Sequence, residues 1–512
     1  MATAIGFLAA GYSFGYYNGL TGIMHKQYVH DDKQRISDKD LFNSVVSGVV
    51  SLGSIPGSLV ASPILKAGRR FTMLIASLIL IFGASLTLIF NIWTLILGRF
   101  IIGVSLGLYY SVCPLYISEI SPPSVSGSLG SLNQMSFVSG LFISFSLTFI
   151  LPLSDDSEAE TTRLWRINCG FPIIFGLIQF CLFTTIFRYD TPLFYKRKGD
   201  MKAYQQIIAL VATVEENKEN KEEISRKNDK VHPDHESPVI EESQEKKDNS
   251  CEKSNLDEKI DESKESKEEN SSKVLSEEEV DEQRNNLKDL EAQSEEIDKI
   301  DARLVKRPWT PHYKKALLIC SLLSFFHQST GINGVTSFSN EIFKDGDEGN
   351  SAERRARLGT LLMGISSIIA CFTSIWLYKI FPRKFFFITS ETVIMSCLFL
   401  SGIFALFNID VGIIVMTMIY VFSFDGGMGP TMWIYCSEVL DSYGASIVAL
   451  INMVMVCIFA SFANLMFEHF TAPGMYFGLA LIQSICIIFI LKFVRETKGK
   501  TKEECEKLYC DE

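Results

Sequence analysis

The apolar positions of the chain fall into long runs that recur along most of its length. Six runs lie at residues 2–24, 41–65, 71–90, 93–117, 128–152 and 166–188, and six more at 313–343, 357–380, 385–407, 411–437, 444–467 and 474–494. A helix needs about 20 mostly apolar residues to cross a bilayer, and each run is long enough. The pattern therefore predicts an all-α membrane protein with twelve transmembrane helices in two six-helix halves.

The polar stretch between the sixth and seventh runs has a different composition. Residues 215–300 hold 30 Asp and Glu against 15 Lys and Arg, and they contain no Phe, Trp or Tyr. Such a segment cannot bury enough apolar surface to offset the entropy cost of ordering, so it is predicted to be mostly disordered. Near its end Leu287, Leu290 and Ile297 recur at helical spacing, which is typical of a short amphipathic helix or of a charged linker with scattered apolar residues.

These patterns predict four regions. Residues 1–190 form the N-terminal six-helix half, 191–312 a linker with the acidic insert and possible short helices, 313–494 the C-terminal half and 495–512 a tail. The net charge of −11 comes from the insert, so it does not indicate a nucleic-acid partner. The apolar remainder excludes a soluble enzyme and makes the lipid bilayer the expected surrounding.

Basic residues in short loops predict the orientation. Lys66, Arg69 and Arg70 follow the second run, Arg383 and Lys384 follow the eighth, and five more bases follow the twelfth. Because cytoplasmic loops are enriched in Lys and Arg, both termini and the linker are expected in the cytoplasm. The protein is expected to be a multi-pass protein of the plasma membrane.

The two groups of runs look like copies of one another. Arg70 and Lys384 each end a short basic loop, Tyr-Ile-Ser-Glu at residues 116–119 corresponds to Tyr-Cys-Ser-Glu at 435–438, and Gln134 corresponds to Asn452. The near-constant separation of these landmarks implies a duplication. Parallel repeats of this kind place a substrate site near the bilayer midplane, between the halves.

Polar side chains inside the apolar runs are candidates for that site, since such residues are costly in a membrane. Carboxamides offer donors and acceptors to a polyhydroxyl ligand, and an indole offers an apolar face to a sugar ring. The alternative interpretation is hydrogen bonding between helices. The candidates are Gln134, His327, Gln328, Asn333, Asp425, Trp433 and Asn452.

An ordered set of motifs resembles the sugar porters of the major facilitator superfamily, which include hexose facilitators and sugar–proton symporters. The motifs are FGYYNG (14–19), AGRR (67–70), GRFIIGVSLG (98–107), PLYISE (114–119), NQMSFVSG (133–140), HQSTGIN (327–333), GPTMW (429–433) and RETKGKTKEE (495–504). They are spread over both halves. The resemblance implies a twelve-helix transporter without a cofactor, a bound metal or an enzymatic activity.

The resemblance also implies roles for the polar residues. Gln134, Gln328, Asn333, Trp433 and Asn452 fall on sugar-contacting positions. Asp425 falls on an often acidic position near the sugar. Two departures bear on sugar preference: His327 replaces the first Gln of the family's seventh-span pair, and Ser367 replaces an Asn of the eighth span.

Tyr17 bears on proton coupling. By the resemblance, proton symporters carry an Asp at this position, facing the Arg that corresponds to Arg99. A carboxylate beside an Arg can alternate between paired and protonated states, whereas a tyrosine stays neutral at ordinary pH. The expectation is facilitated diffusion, with Asp425 and His327 as possible substitute proton carriers. Whether Arg99 donates to Tyr17 or to carbonyl groups is left open.

Charges at the inner helix ends are expected to form a gating network of Arg69, Arg70, Glu119, Arg383 and Glu438. The family usually adds an Arg after each acid, but residues 126–127 and 441–445 hold none here. Fewer ion pairs between the halves should shift the resting population toward the inward-open form.

The sequence thus favours a facilitative hexose uniporter that works by alternating access, with glucose as the expected substrate. One alternative is a proton-coupled sugar or polyol symporter. A second is a non-transporting sugar sensor that signals through the insert.

Overall fold

The computed structural model describes residues 2–29, 39–120, 126–153, 156–207, 310–344, 349–440, 442–469, 471–500, 504–505 and 508–509. All of these belong to one compact unit that contains both groups of apolar runs. The acidic insert 215–300 and the helical spacing near its end lie outside the described residues.

The N-terminal group of runs forms helices with short connections. They are α1 (Ala2–Gly15), α2 (Thr21–Val29), α3 (Lys39–Leu65), α4 (Arg69–Thr87), α5 (Ile92–Ile120), α6 (Ser126–Leu147), α7 (Trp165–Thr185) and the short α8 (Pro192–Lys198). A 3-10 turn at Thr148–Ile150 extends α6, and a second lies at Ser157–Glu160. The first apolar run is divided between α1 and α2.

The C-terminal group repeats this arrangement. Its helices are α9 (Pro311–Ser329), α10 (Ile332–Lys344), α11 (Asn350–Ile380), α12 (Arg383–Leu406), α13 (Asp410–Ser423), α14 (Gly429–Val439), α15 (Ser442–His469) and α16 (Ala472–Phe493). A π-helical turn at Phe424–Met428 joins α13 to α14. The described part of the chain contains no strand.

The seventh and tenth predicted spans are interrupted as well as the first, and their sequences explain these two interruptions. Gly331 has a φ of 87°, a left-handed conformation that ends α9 and lets α10 start at the next residue. In the tenth span the π turn contains Gly426 and Gly427 and is followed by Gly429, so the helix is intrinsically weak there. Each break lies beside candidate sugar residues.

The predicted all-α membrane fold is confirmed. Each of the twelve apolar runs coincides with a helix or a broken helix pair. Among the described residues, eight helices are long and apolar enough to cross a membrane, and α3 and α15 carry shorter apolar segments. Helix α11 begins seven residues before its apolar run at 357–380, so it includes Arg354 and Arg355, which precede that run.

Each half has its own packed core, and the outer surface is apolar. Trp93, Phe407 and Leu481 are 71%, 70% and 64% exposed, as expected for side chains that face lipid. Glycines bring helices close together within the N-terminal half. A Cβ on Gly53 of α3 would collide with the carbonyl of Phe100 on α5, so only glycine permits this approach.

Candidate functional site

The seven candidate sugar residues lie around one cavity between the two halves. The cavity has an empty volume of about 640 Å³, which includes the solvent at its mouth. Its polar lining contains every candidate that the sequence singled out, namely Gln134, His327, Gln328, Asn333, Asp425, Trp433 and Asn452. The amides and the indole therefore face a common space, as a binding site between duplicated halves requires.

The break between α9 and α10 places two of the amides. Gln328 lies in the last turn of α9, Asn333 lies in the first turn of α10, and Gly331 turns the chain between them. The Asn333 amide donates a hydrogen bond to Oε1 of Gln328. A continuous helix would hold these side chains about 140° apart around its axis, so the break is what lets them meet.

The amides continue as a chain of hydrogen bonds to α15. Nε2 of Gln328 donates to Oδ1 of Asn452 at 3.1 Å, and Nδ2 of Asn452 donates to Oγ of Ser324 at 3.1 Å. Nε2 of Gln328 is also 3.1 Å from Nδ1 of His327, whose Nε2 is buried without a hydrogen-bond partner. The amides thus satisfy one another and still line the cavity, so ligand hydroxyls can exchange with these bonds.

A carboxylate from the C-terminal half meets an amide from the N-terminal half across the cavity. Nε2 of Gln134 on α6 donates to Oδ1 of Asp425 at 3.1 Å. Asp425 lies in the π turn, is 6% exposed, and also accepts a hydrogen bond from Ser367 on α11. The shorter Ser367 side chain therefore contacts the acid beside the cavity.

Aromatic side chains form an apolar wall of the cavity. The rings of Trp433 and Tyr110 have centroids 6.3 Å apart and planes inclined by 31°, and Phe137 lies 6.3 Å from Tyr110. Tyr110, Phe14 and Phe137 were not among the predicted site residues. Aromatic residues are frequent throughout these helices, so sequence offers no signal that marks these three.

Tyr17 and Arg99 lie together beside the cavity. The guanidinium carbon of Arg99 is 4.8 Å from the ring centroid of Tyr17, and Nε of Arg99 donates to the carbonyl of Val46 at 2.7 Å. The Tyr17 hydroxyl donates to Oδ1 of Asn43 at 3.3 Å. Arg99 thus donates to a carbonyl and stacks on the tyrosine ring, while its Nη1 has no hydrogen-bond partner.

Four of the five predicted gating charges form two similar pairs, one in each half, at the end of the bundle that we call the basic end. Nη2 of Arg69 lies 2.6 Å from Oε1 of Glu119, and Nη2 of Arg383 lies 3.2 Å from Oε1 of Glu438. Arg70 instead donates from Nε to the carbonyl of Phe183 at 2.9 Å. Both ion pairs thus join helices of the same half.

Two further acids complete these pairs and were missed from sequence. Asp190 accepts hydrogen bonds from the backbone amides of Arg69 and Arg70, both at 3.1 Å. Burial raises the pKa of Asp190, while the amides of Thr191, Arg70 and Arg69 that bond to it act in the opposite direction. The carboxylate caps the start of α4, where unpaired amides and the helix dipole favour an anion.

The C-terminal half has the same arrangement. Glu496 accepts hydrogen bonds from the backbone amides of Arg383 and Lys384, both at 2.8 Å. Thr191 and Thr497, each directly after its capping acid, donate to Glu119 at 2.6 Å and to Glu438 at 2.5 Å. The signal in the sequence was an acid–threonine pair shortly after the last long helix of each half, α7 and α16.

The opposite end, which we call the far end, is joined across the halves. Nδ2 of Asn18 donates to Oγ of Ser339 at 2.6 Å. The guanidinium of Arg357 on α11 donates to the carbonyls of Thr148 and Leu151 at 3.1 and 2.7 Å, and it pairs with Glu353 at 2.6 Å. Arg357 thus ties α11 to the end of α6.

Comparisons with known proteins agree with this architecture. The family model described as "Sugar (and other) transporter" matches residues 1–244 and 256–509. The chain is 22% identical to "Hexose transporter 1" of Plasmodium vivax (strain Brazil I), covering 91% of this chain and 83% of that protein. It is 24% identical to "Glucose transporter GlcP" of Staphylococcus epidermidis, covering 98% and 95%.

A solved structure has the same fold. The proton:xylose symporter XylE bound to 6-bromo-6-deoxy-D-glucose superposes with a TM-score of 0.72 at 18% identity, covering 99% of this chain and 98% of that one. At this identity the likeness shows the fold alone.

Proposed function

Because the chain belongs to the sugar porter family of the major facilitator superfamily, we propose that it is a facilitative hexose uniporter with glucose as its substrate. It is a multi-pass membrane transporter and not an enzyme. Substrate and transport mode are the proposal, and both are argued from the cavity and its surroundings. No cofactor enters the proposed cycle.

The observation that carries the proposal is the convergence of both halves on one cavity. Gln134 comes from the N-terminal half, and Gln328, Asn333, Trp433 and Asn452 come from the C-terminal half. A neutral polyhydroxyl ligand needs donors and acceptors in equal measure, which carboxamides provide. The Trp433 indole adds an apolar surface for the C–H face of a pyranose.

The contacts between the halves support an alternating-access cycle. Asn18 and Arg357 join the halves at the far end, while the Arg69–Glu119 and Arg383–Glu438 pairs stay within their halves at the basic end. We place the protein in the plasma membrane with its basic end in the cytoplasm. Because bonds join the halves at the far end, while the ion pairs at the basic end stay within each half, the inward-facing state is favoured. In the proposed cycle the far-end bonds break as the halves rock about the sugar.

The surroundings of Arg99 favour uniport. Its partners are the Val46 carbonyl and the rings of Tyr16 and Tyr17, and none of these groups exchanges a proton at ordinary pH. A proton-coupled symporter is the second candidate, because Asp425 lines the cavity and accepts the Gln134 hydrogen bond. Protonation of Asp425 would alter that bond between the halves.

Proteoliposomes that contain the full chain test both candidates. Labelled glucose, fructose, galactose and inositol are compared as substrates, at two pH values and with an imposed proton gradient. We expect glucose to equilibrate without accumulating and a protonophore to have no effect. Accumulation that a protonophore abolishes would establish the symporter, and absence of uptake or exchange of every sugar would reject transport.

A further inference from the structure

A second polar cluster is buried in the C-terminal half, apart from the residues that line the cavity. Glu391 on α12 is fully buried, and neither of its carboxylate oxygens has a hydrogen-bond partner. Gln483 on α16 is also fully buried, and both polar atoms of its amide are unpartnered. Burying two unsatisfied polar side chains in a membrane bundle costs free energy, and such residues usually have a function.

The packing of α12 against α16 shows which part of α16 Glu391 faces. Nζ of Lys384 donates to the carbonyl of Leu491 at 3.0 Å, and Oγ of Ser484 donates to Sδ of Met395 at 3.2 Å. The helices are therefore antiparallel. Glu391 precedes Met395 by about one turn, so its carboxyl group faces the segment of α16 that follows Ser484.

The groups around Glu391 carry no positive charge. Tyr420 from α13 and Cys486 from α16 lie within electrostatic range of its carboxyl group. Asp425 of the π turn and Cys397 of α12 act in turn on Tyr420. In the described part of the chain, no Lys, Arg or His pairs with Glu391. A carboxyl group in such surroundings is stabilised by binding a proton, because an unpaired buried charge is far more costly.

The duplication shows that the fold does not need an acid here. Glu391 follows Arg383 by the same number of residues as Ser77 follows Arg69 in the other half. Oγ of Ser77 donates to the carbonyl of Met73 at 2.9 Å and accepts from the Tyr109 hydroxyl at 3.3 Å. The corresponding cluster in the N-terminal half is thus built around a neutral hydroxyl group.

The cluster contacts the helix break that forms the cavity. The Tyr420 hydroxyl donates to the carbonyl of Thr330 at 3.0 Å, directly before Gly331. A Cβ on Gly331 would lie 3.2 Å from Cδ1 of Leu479, which is one turn from Gln483 on α16. Tyr420, which interacts electrostatically with Glu391, therefore contacts the backbone between Gln328 and Asn333.

We propose that Glu391 is a proton-binding site separate from the sugar cavity, and that its proton occupancy sets the geometry of the α9–α10 break and hence sugar binding. The proton site does not depend on the proposed transport function, whereas its effect on sugar binding rests on that function. When Glu391 holds a proton, the Tyr420 hydroxyl donates to Thr330. When the proton is released to water, the hydroxyl turns to the carboxylate and frees the Thr330 carbonyl.

Infrared spectroscopy of the purified full chain in lipid tests the proton site without reference to transport. We expect a carbonyl-stretch band of a protonated carboxyl group that is lost in Glu391→Gln and retained in Ser77→Ala. A band pattern unchanged by Glu391→Gln would overturn the site. Because no sugar is present, this result is independent of the proposed function.

Glucose binding, measured across pH from the change in tryptophan fluorescence on adding glucose, tests the link to the cavity. We expect the pH dependence of binding to be lost in Glu391→Gln, which should bind at every pH as the wild type does at acid pH. Tyr420→Phe should lose it as well, although Glu391 keeps its infrared band. A pH dependence retained in both variants would reject the link, and a wild type that binds no sugar would reject the proposed function while leaving the proton site standing.

Discussion

Gln134 and Asp425 are joined by a hydrogen bond of 3.1 Å that crosses from one half of the bundle to the other. Few polar side chains in a membrane bundle can be replaced without cost, and this pair lies on the wall of the cavity. It links the ligand-binding surface to the relative position of the halves, because any rocking motion must stretch or break it.

Asp425→Asn tests what the charge of this acid contributes. The amide keeps the shape and can still accept from Gln134, but a charge-assisted hydrogen bond becomes a neutral one. We expect glucose affinity to fall about fivefold, since that change is worth about 1 kcal/mol. Equilibrium exchange of labelled glucose measures it, with Gln134→Ala as the comparison; an unchanged affinity in both variants would contradict a role in binding.

Substitution of the central site residues should abolish transport and spare the fold. Gln328→Ala removes the amide that joins Asn333 to Asn452, and Trp433→Ala removes the indole beside Tyr110. We expect uptake to fall by at least about a hundredfold, as for loss of two hydrogen bonds of about 1.5 kcal/mol each. Surface labelling provides the control for expression, and full transport by both variants would rule out the site assignment.

Tyr17→Asp should introduce a response to the proton gradient. It places a carboxylate beside Arg99, whose Nη1 has no partner at present. An Asp there can alternate between a paired and a protonated form, so uptake should rise as the outside is made acid. Tyr17→Phe is the matched control and should remain insensitive; identical pH profiles for the two variants would refute the assignment of this position.

Arg357→Ala should open the far end. It removes the hydrogen bonds to the carbonyls of Thr148 and Leu151, and buried carbonyls left unsatisfied cost about 1–3 kcal/mol each. We expect at least a tenfold shift, about 1.4 kcal/mol, toward an open far end. Labelling of Thr336→Cys by an impermeant maleimide reports the change. Arg354→Ala, on the exposed side of the same helix, is the control, and in it Thr336→Cys should be labelled no faster than in the protein with both arginines.

Deletion of residues 215–300 separates a transporter from a sensor. The membrane unit is formed without this segment, since residues 1–211 and 309–512 pack together. We expect the shortened protein to keep its glucose flux within about a factor of two, that is within about 0.4 kcal/mol of the barrier. A protein that never transports glucose, but loses a sugar-dependent cellular output on deletion, would be a sensor.

The positions of the helices could be predicted from sequence because apolar runs of bilayer length have few alternative structures in lipid. A shared site for the seven candidate residues could also be predicted, since polar side chains such as Gln328 and Asn452 stand out in those apolar runs. Gly331 and the glycines around residue 427 coincide with the two helix breaks.

Other features depend on distances that a sequence does not contain. Asp190 and Glu496 lie far along the chain from the helix starts that they cap, and an acid at a membrane boundary has many solvated alternatives. Helix α11 starts seven residues before its apolar run, because the charges of Arg354 and Arg355 interrupt the apolar pattern but not the helix. The sequence does not mark Glu391, because its burial without partners results from the packing of α12 against α16.

The chain of amides from Asn333 through Gln328 to Asn452 has a kinetic consequence. Since these amides are hydrogen-bonded to one another when no sugar is bound, the empty carrier can change between its two states without leaving polar groups unsatisfied. The conformational change of the empty carrier should therefore be nearly as fast as that of the carrier with sugar bound. Such a carrier supports net influx into an empty cell and is not restricted to one-for-one exchange.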